Sequence, residues 1–377
     1  MRIAILGFGT VGRGAYLVAR ESQDIEVAKI LVRTLRPDMQ EFVKVSEKDS
    51  IFTQNINEII NDSSIDLVIE SIGGTDVAKE YVMICLNAGK HVVTPNKNLV
   101  SMFYKDLHET AKTNGVEFRY TATAGGGIPW LFNLKRTKRC DSIQEIRGIV
   151  NGTCNYILDA MHKDQVDYKD ILKKAQELGY AEADPSADVD GIDTLRKTVI
   201  STNIAFDTVI REDEVPCFGI SNIKASDISW FEEHGYTCKL MMNAKLDGDR
   251  LSAYVQPTLF KKDSLEANVG ANNNLITLTG KSIGTQSFYG QGAGMLPTGE
   301  SVIQDVIDIN DGVDLNITKV SRQLTVDNSK EMHNFYARKG DKVAEMKNVS
   351  VRDVHKWARD CKQQGINVFF AALPDDK

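Results

Sequence analysis

The sequence predicts an α/β protein: a Rossmann-type, doubly wound parallel sheet followed by a second domain of α+β texture. Three observations carry that prediction. The glycine motif GFGTVGRG stands directly after the apolar run RIAIL at the start of the chain. Short apolar runs then alternate with helical patterns as far as Ala124. Beyond AGGGIPW the alternation stops, and strands and helices no longer follow a β-α-β order. Alternation implies parallel β-α-β units, so its loss marks a second architecture.

Residues 2–6 (RIAIL) form the first strand, and a helix pattern runs through Ala15 to Arg20. EVAKILV is the second strand. IDLVIES and KHVVTPN are the third and fourth, separated by the helical segment VAKEYVMICLNAG, and VEFRYTATA is the fifth. In the second domain SIQEIRGIV reads as a strand, and NYILDAMHK and YKDILKKAQELG as amphipathic helices. An apolar helix follows over DTLRKTVISTNIAF, with Asp190 as its N-cap. KLMMNAKLDGDRLSAYVQPTLF is a hairpin turning at Asp247 to Asp249. SFYGQGAGMLPTGESVIQDVID is glycine-rich and leads into another helix. From about Leu315, HNFYARK, SVRDVHKWARDCKQQG and INVFFAAL make one small β-α-β unit with no visible chemistry. The expected domains are 1–133, completed by about 290–314, then 134–289, then a tail over 315–377.

Composition narrows the partners. The net charge of −7 argues against nucleic acid or an anionic membrane, both of which favour a basic face. The apolar runs are far shorter than a bilayer span, and MRIAILG is too short for a signal peptide. The six cysteines form no C-x-x-C pair, which reads as reduced, mostly buried thiols in a cytoplasmic protein.

Gly7, Gly9 and Gly12 fit G-x-G-x-x-G between a strand and a helix. The first allows a tight turn, the second lets a pyrophosphate approach, and the third lets helix pack on strand. An acid at the end of the second strand would hold the ribose 2′-hydroxyl of NAD. Here the segment reads LVRTLRPD, and Arg33 and Arg36 favour the 2′-phosphate of NADP instead, with NAD as the alternative. Lys97 follows the fourth strand, where the carboxyl ends of strands face the ligand crevice. It is either a site lysine or a surface one. Gly125, Gly126 and Gly127 leave the backbone bare before a proline, for a ring, an ion or a hinge.

The stretch GYAEADPSADVDGIDTLRK, residues 179–197, gathers five carboxylates and ends on Arg196 and Lys197. A calcium loop is excluded, because the register set by Asp190 and Gly191 places Lys197 where a bidentate glutamate is needed. Asp193 and Lys197 are four apart and share a helix face with Ile200 and Ile204. They form either a structural bridge or a lysine tuned to exchange a proton with an alcohol.

With these residues in place, the sequence resembles the homoserine dehydrogenase family. The matching blocks are GFGTVGRG, ESIGG, VVTPNK, AGGGIP, GIVNGTCNYIL, AQELGYAEADPSADVDGIDTLRK and GAGMLPT, in order over about residues 2–312. The resemblance implies NAD(P)-linked interconversion of L-homoserine and L-aspartate 4-semialdehyde. It also implies that the second domain binds substrate and builds a homodimer or higher homo-oligomer. Lys197 then matches the proton donor and acceptor, and Lys97 the second active-site lysine. Asp193 and Glu182 match residues at the amino end of homoserine, with Thr153, Tyr180 and Asp188 lining the pocket. The cofactor would meet Gly7, Gly9, Thr10, Val11, Gly12, Arg33, Gly73, Lys97, Gly179, Glu182 and Gly294. A monovalent cation such as Na⁺ would sit on the backbone of Ala124, Gly126 and Ile128, where Thr121 replaces a glutamate common in the family. The tail does not match the family's ACT-type regulatory domain. A phosphorylating semialdehyde dehydrogenase would need an activated cysteine, and no cysteine here has that context. A non-catalytic nucleotide sensor would be expected to lose Lys97 or Lys197, and both are present.

Overall fold

The computed structural model describes residues 1–43, 50–313 and 322–374, which cluster into two compact units. The first comprises Met1–Arg136 and a returning segment from Ala293. The second comprises Thr137–Gly292 and the C-terminal segment. The chain passes between them after Arg136 and after Gly292. The expected edge at Leu315 falls outside the described residues.

The first unit opens with β1 (Arg2–Leu6), α1 (Thr10–Ala19), β2 (Glu26–Leu31), α2 (Pro37–Phe42), β3 (Phe52–Thr53) and α3 (Asn57–Ile60). It continues with β4 (Leu67–Glu70), α4 (Asp76–Asn87), β5 (His91–Val93), α5 (Lys97–Thr113), β6 (Phe118–Arg119) and α6 (Trp130–Lys138). The six strands are all parallel, in the order β3-β2-β1-β4-β5-β6. That is the doubly wound order, with its switch point between β1 and β4. Five strands were expected; the sixth, β3, spans two residues, too few to show a pattern.

The second unit begins with β7 (Ile143–Ile149), α7 (Gly152–Asp164), α8 (Tyr168–Glu177), α9 (Ser186–Val189) and α10 (Ile192–Phe206). Then come α11 (Ala225–Glu233), the hairpin β8 (Tyr236–Asp247) and β9 (Arg250–Lys261), and a further hairpin of β10 (Asn273–Gly280) and β11 (Gly284–Gln291). The chain returns to the first unit as α12 (Met295–Asn310). Here α1 and α12 cross closely: a Cβ on Gly14 would fall on the Met295 carbonyl oxygen. Val302, Ile303 and Val306 of α12 share a core with Ile3, Ile5 and Tyr16.

The C-terminal segment supplies β12 (Met332–Lys339), β13 (Lys342–Ser350), α13 (Val351–Gln363) and β14 (Val368–Ala372). Instead of a separate β-α-β unit, it is β-β-α-β and completes the second unit's eight-stranded sheet, ordered β11-β10-β7-β8-β9-β14-β12-β13. The outermost strand, β13, is mostly exposed, so its sequence KVAEMKNVS carries no apolar alternation to announce it. Tyr254 of β9 packs in one core with Phe335, Val354 and Phe370 of this segment. Buried Arg338 forks onto buried Asp227 of α11, Nε to Oδ1 at 2.6 Å and Nη2 to Oδ2 at 3.1 Å.

Candidate active site

In the first unit the strand β1 ends in a turn that only small residues allow. Gly7 has φ +93°, and a Cβ there would lie 2.6 Å from the Ser71 carbonyl oxygen. A Cβ on Gly12 would strike the carbonyl of Gly7, whereas one on Gly9 would meet nothing within 4 Å. The protein therefore leaves space above Gly9 while packing tightly under Gly7 and Gly12. No side chain caps α1 and no acid occupies its first turn. Its leading amides, over Thr10, Val11 and Gly12, thus suit a pyrophosphate.

Beside the end of β1 lies Glu70, a fully buried carboxylate at the end of β4. Its Oε1 accepts from the Ile72 amide at 2.8 Å and its Oε2 from the Thr94 hydroxyl at 2.6 Å. Thr94 in turn accepts from the Asn96 amide at 3.0 Å, and the Asn96 side chain donates to Gly74 at 2.8 Å. Asn96 caps α5, so Lys97 stands half-buried at the first position of that helix, and Gly73 lies in the loop that Glu70 gathers. Sequence reading missed Glu70, although a carboxylate ending a buried apolar strand was a visible signal. Gly294 is the N-cap of α12, beside α1.

Arg33 is exposed just past β2. Asp38, the nearest downstream acid, is ion-paired to both Arg13 and Arg36. The hydrogen bond from Arg13 holds its carboxyl below the usual carboxylate range. The guanidinium of Arg13 lies 5.1 Å from the Phe42 ring centre.

At the Ala124–Ile128 backbone, the Gly126 carbonyl accepts from the Ser301 hydroxyl, and the Ile128 carbonyl from the Trp130 amide at 2.7 Å. Thr121 gives both its amide and its hydroxyl to Asp305, at 2.9 and 2.8 Å. Burial pushes the Asp305 carboxyl up to about 7. Among the described residues no group of three or more His, Cys, Asp or Glu could hold a metal.

In the second unit, α10 buries both members of the predicted pair. Lys197 Nζ lies 2.8 Å from Asp193 Oδ2 and donates to the Val150 carbonyl at 2.6 Å. Asn151 donates from Nδ2 to Asp193 Oδ2 at 2.8 Å and to Asp188 Oδ1 at 2.7 Å. Thr153 donates to the Tyr180 carbonyl at 2.6 Å. Burial, with Asp193 adding repulsion, raises the Asp188 carboxyl above its ordinary range. Ile200 and Ile204 are buried on the same helix, as their spacing implied.

One expectation needs adjusting. Asp190 does not cap α10: it closes α9, and Gly191 at φ +85° turns the chain into α10. Glu182 and Gly179 are exposed, outside the hydrogen-bonded group of Asp188, Asp193 and Lys197. Tyr180 is partly exposed, its ring 4.9 Å from that of Tyr156.

A family model described as "Homoserine dehydrogenase" matches residues 129–307, and one described as "Homoserine dehydrogenase, NAD binding domain" matches residues 7–121. The chain belongs to the homoserine dehydrogenase family. A homoserine dehydrogenase of Bacillus subtilis is 36% identical over 327 residues, covering 84% of this chain and 75% of the relative. One from Corynebacterium glutamicum is 39% identical over 319 residues, covering 81% of this chain and 71% of the relative. Among solved structures, a homoserine dehydrogenase from Thiobacillus denitrificans aligns with a TM-score of 0.87 at 28% identity, covering 100% of this chain and 98% of that one. The family's reaction, NAD(P)-linked interconversion of L-homoserine and L-aspartate 4-semialdehyde on the route to threonine and methionine, is this chain's reaction. No helix among the described residues is long and apolar enough to cross a membrane.

Proposed function

We propose that Lys197 is the acid/base of this homoserine dehydrogenase and that the residues around it bind the amino acid. The observation that carries the reading is the buried Asp193–Lys197 pair, anchored by the Val150 carbonyl. Among the described residues these two contacts engage two of the three ammonium donors, so one remains for a substrate oxygen. In the reducing direction Lys197 donates a proton to the oxygen of the forming alcohol. In the oxidising direction its neutral amine takes the hydroxyl proton as the carbinol carbon loses hydride. The nicotinamide, when bound, supplies or takes that hydride.

Asp193 orients Lys197 and, with Glu182, receives the substrate ammonium. Thr153, Tyr180 and Asp188 line the same pocket, and Lys97 is the second active-site lysine. Gly7, Gly9, Thr10, Val11 and Gly12 hold the pyrophosphate, with Gly73, Gly179 and Gly294 offering backbone beside the cofactor.

NADP is the preferred nucleotide in this reading. Arg33 is exposed where a 2′-phosphate would come, and Asp38 is already neutralised by two arginines. A monovalent cation such as Na⁺ binds the carbonyls of Ala124, Gly126 and Ile128, sharing two of them with Ser301 and Trp130; each carbonyl retains a second lone pair. The enzyme works in the cytoplasm as a homodimer or larger homo-oligomer. The test follows reduced nicotinamide absorbance with L-homoserine and either nucleotide, with and without NaCl replaced by a bulky organic cation salt. Turnover with NADP exceeding that with NAD supports the nucleotide assignment; a strong NAD preference refutes it.

A further inference from the structure

We infer that Asn151 is a positioning residue for the reaction: one side-chain amide holds Asp188 and Asp193 together while its oxygen starts α7. This inference rests on the proposed roles of Asp193 and Lys197 and adds a residue to them.

The geometry is specific. Asn151 is buried, the N-cap of α7, and its Oδ1 accepts from the Cys154 amide at 2.8 Å. Its Nδ2 carries two hydrogens, one for Asp188 Oδ1 at 2.7 Å and one for Asp193 Oδ2 at 2.8 Å. Two carboxylates brought this close repel one another, and a shared neutral donor is one way to keep both ionised. Lysine or arginine at this place would also bridge them, but would compete with Lys197 for Asp193 and with a substrate ammonium for the acidic pocket. An asparagine adds no charge. The preceding residue completes the arrangement, because the Val150 carbonyl accepts from Lys197. The junction between β7 and α7 thus grips all three groups at once.

The other groups facing the pair are few. Lys197 of α10 favours the ionised form of Asp188 and lies 2.8 Å from Asp193 Oδ2. The buried Cys154 thiol of α7 is pushed well above its ordinary range by burial and stays neutral, as does that of Cys217, raised to about 12. The Asn151 hydrogen bond works against the burial that raises Asp188. Removing the donor should therefore move the acid side of the activity profile to higher pH.

Asn151→Asp separates capping from positioning. Aspartate caps a helix about as well as asparagine, but it presents oxygen where Nδ2 stood. Asn151→Ser keeps a cap and adds no charge, and is the control against charge-driven unfolding. For Asn151→Asp, kcat/KM for homoserine should fall about 10²-fold, the scale of a displaced catalytic group. The acid limb should also shift upward, with NADPH affinity unchanged. Asn151→Ser should show a smaller fall in kcat/KM and the same direction of pH shift. If both variants keep near-normal kcat/KM and an unmoved pH profile while Asp193→Ala is impaired, Asn151 is only a cap and the inference is overturned. If Asp193→Ala is itself near normal, the underlying assignment fails and takes this one with it.

Discussion

Lys197 and Asp193 put the two readings of an i, i+4 pair in direct competition. A purely structural bridge needs only each other. Here the ammonium also takes the Val150 carbonyl, and the carboxylate also takes Asn151, so the pair is held in one orientation. Lys197→Ala should lower kcat by ~10²–10⁴-fold, the usual worth of a positioned proton-transfer group, with NADPH affinity unchanged by fluorescence titration. Asp193→Ala should raise KM for homoserine as well as lower kcat. Comparable melting losses with intact activity would restore the structural reading. Arg33→Asp should erase or reverse the preference for NADP, read as the ratio of kcat/KM for the two nucleotides. Asp188 offers a pH test of its own. Its carboxyl is raised in the folded protein by burial, so the folded state holds the proton more tightly than the unfolded chain. Stability from this group is complete below the ordinary carboxylate range and is lost as pH rises through the raised value. Asp188→Asn should accordingly be the more stable protein at neutral pH in urea titrations, with the difference closing in acid. A gap that widens in acid would contradict the sign.

The turn from β1 into α1 and the crossing of α1 with α12 show how elements fix the nucleotide site. The missing side chain of Gly9 leaves space outside the protein, whereas the absent Cβ atoms of Gly7, Gly12 and Gly14 let backbone approach backbone. Gly14→Ala would force α12 away from α1 at the Met295 carbonyl. The expected cost is about 1–3 kcal/mol for overpacking, together with weaker NADPH binding, since Gly294 and the first turn of α1 would separate. Unchanged stability and binding would mean that the crossing relaxes freely. The glycine motif was legible because each of its three glycines has a steric job. Gly14 and its partner Gly299 were not, because their job depends on a helix that returns from nearly 300 residues along the chain.

For the molecule as a whole, the C-terminal segment changes meaning once its strands are placed. Its sequence carries no catalytic motif. In the structure β12, β13 and β14 extend the sheet of the second unit, and Tyr254 relies on Phe335 and Phe370 for its burial. A chain ending near Leu315 should therefore be poorly soluble. The more discriminating test is Arg338→Met. Removing one partner of a buried ion pair typically costs about 3–5 kcal/mol, and Asp227 would be left buried with Tyr336 as its remaining side-chain donor among the described residues. Stability should drop by that order in denaturant, while kinetics at a temperature where the variant is folded stay near wild type. A soluble, fully active truncation would show that the shared sheet is dispensable.

The sequence by itself determined the nucleotide-binding half, because alternating apolar runs and a glycine turn have a short-range physical meaning. It also determined the Asp193–Lys197 pair, since a helix fixes which side chains four apart must meet. Family blocks extended this to the reaction. What only the tertiary structure decided lies between distant segments. Asn151 meets Asp188 and Asp193 across some forty residues, and Thr121 meets Asp305 across more than 180. The tail's strands find their sheet partner only when β14 reaches β9 at Ala372 and Thr258. Periodicity reports which face of an element is apolar; it carries no information about which remote element covers that face.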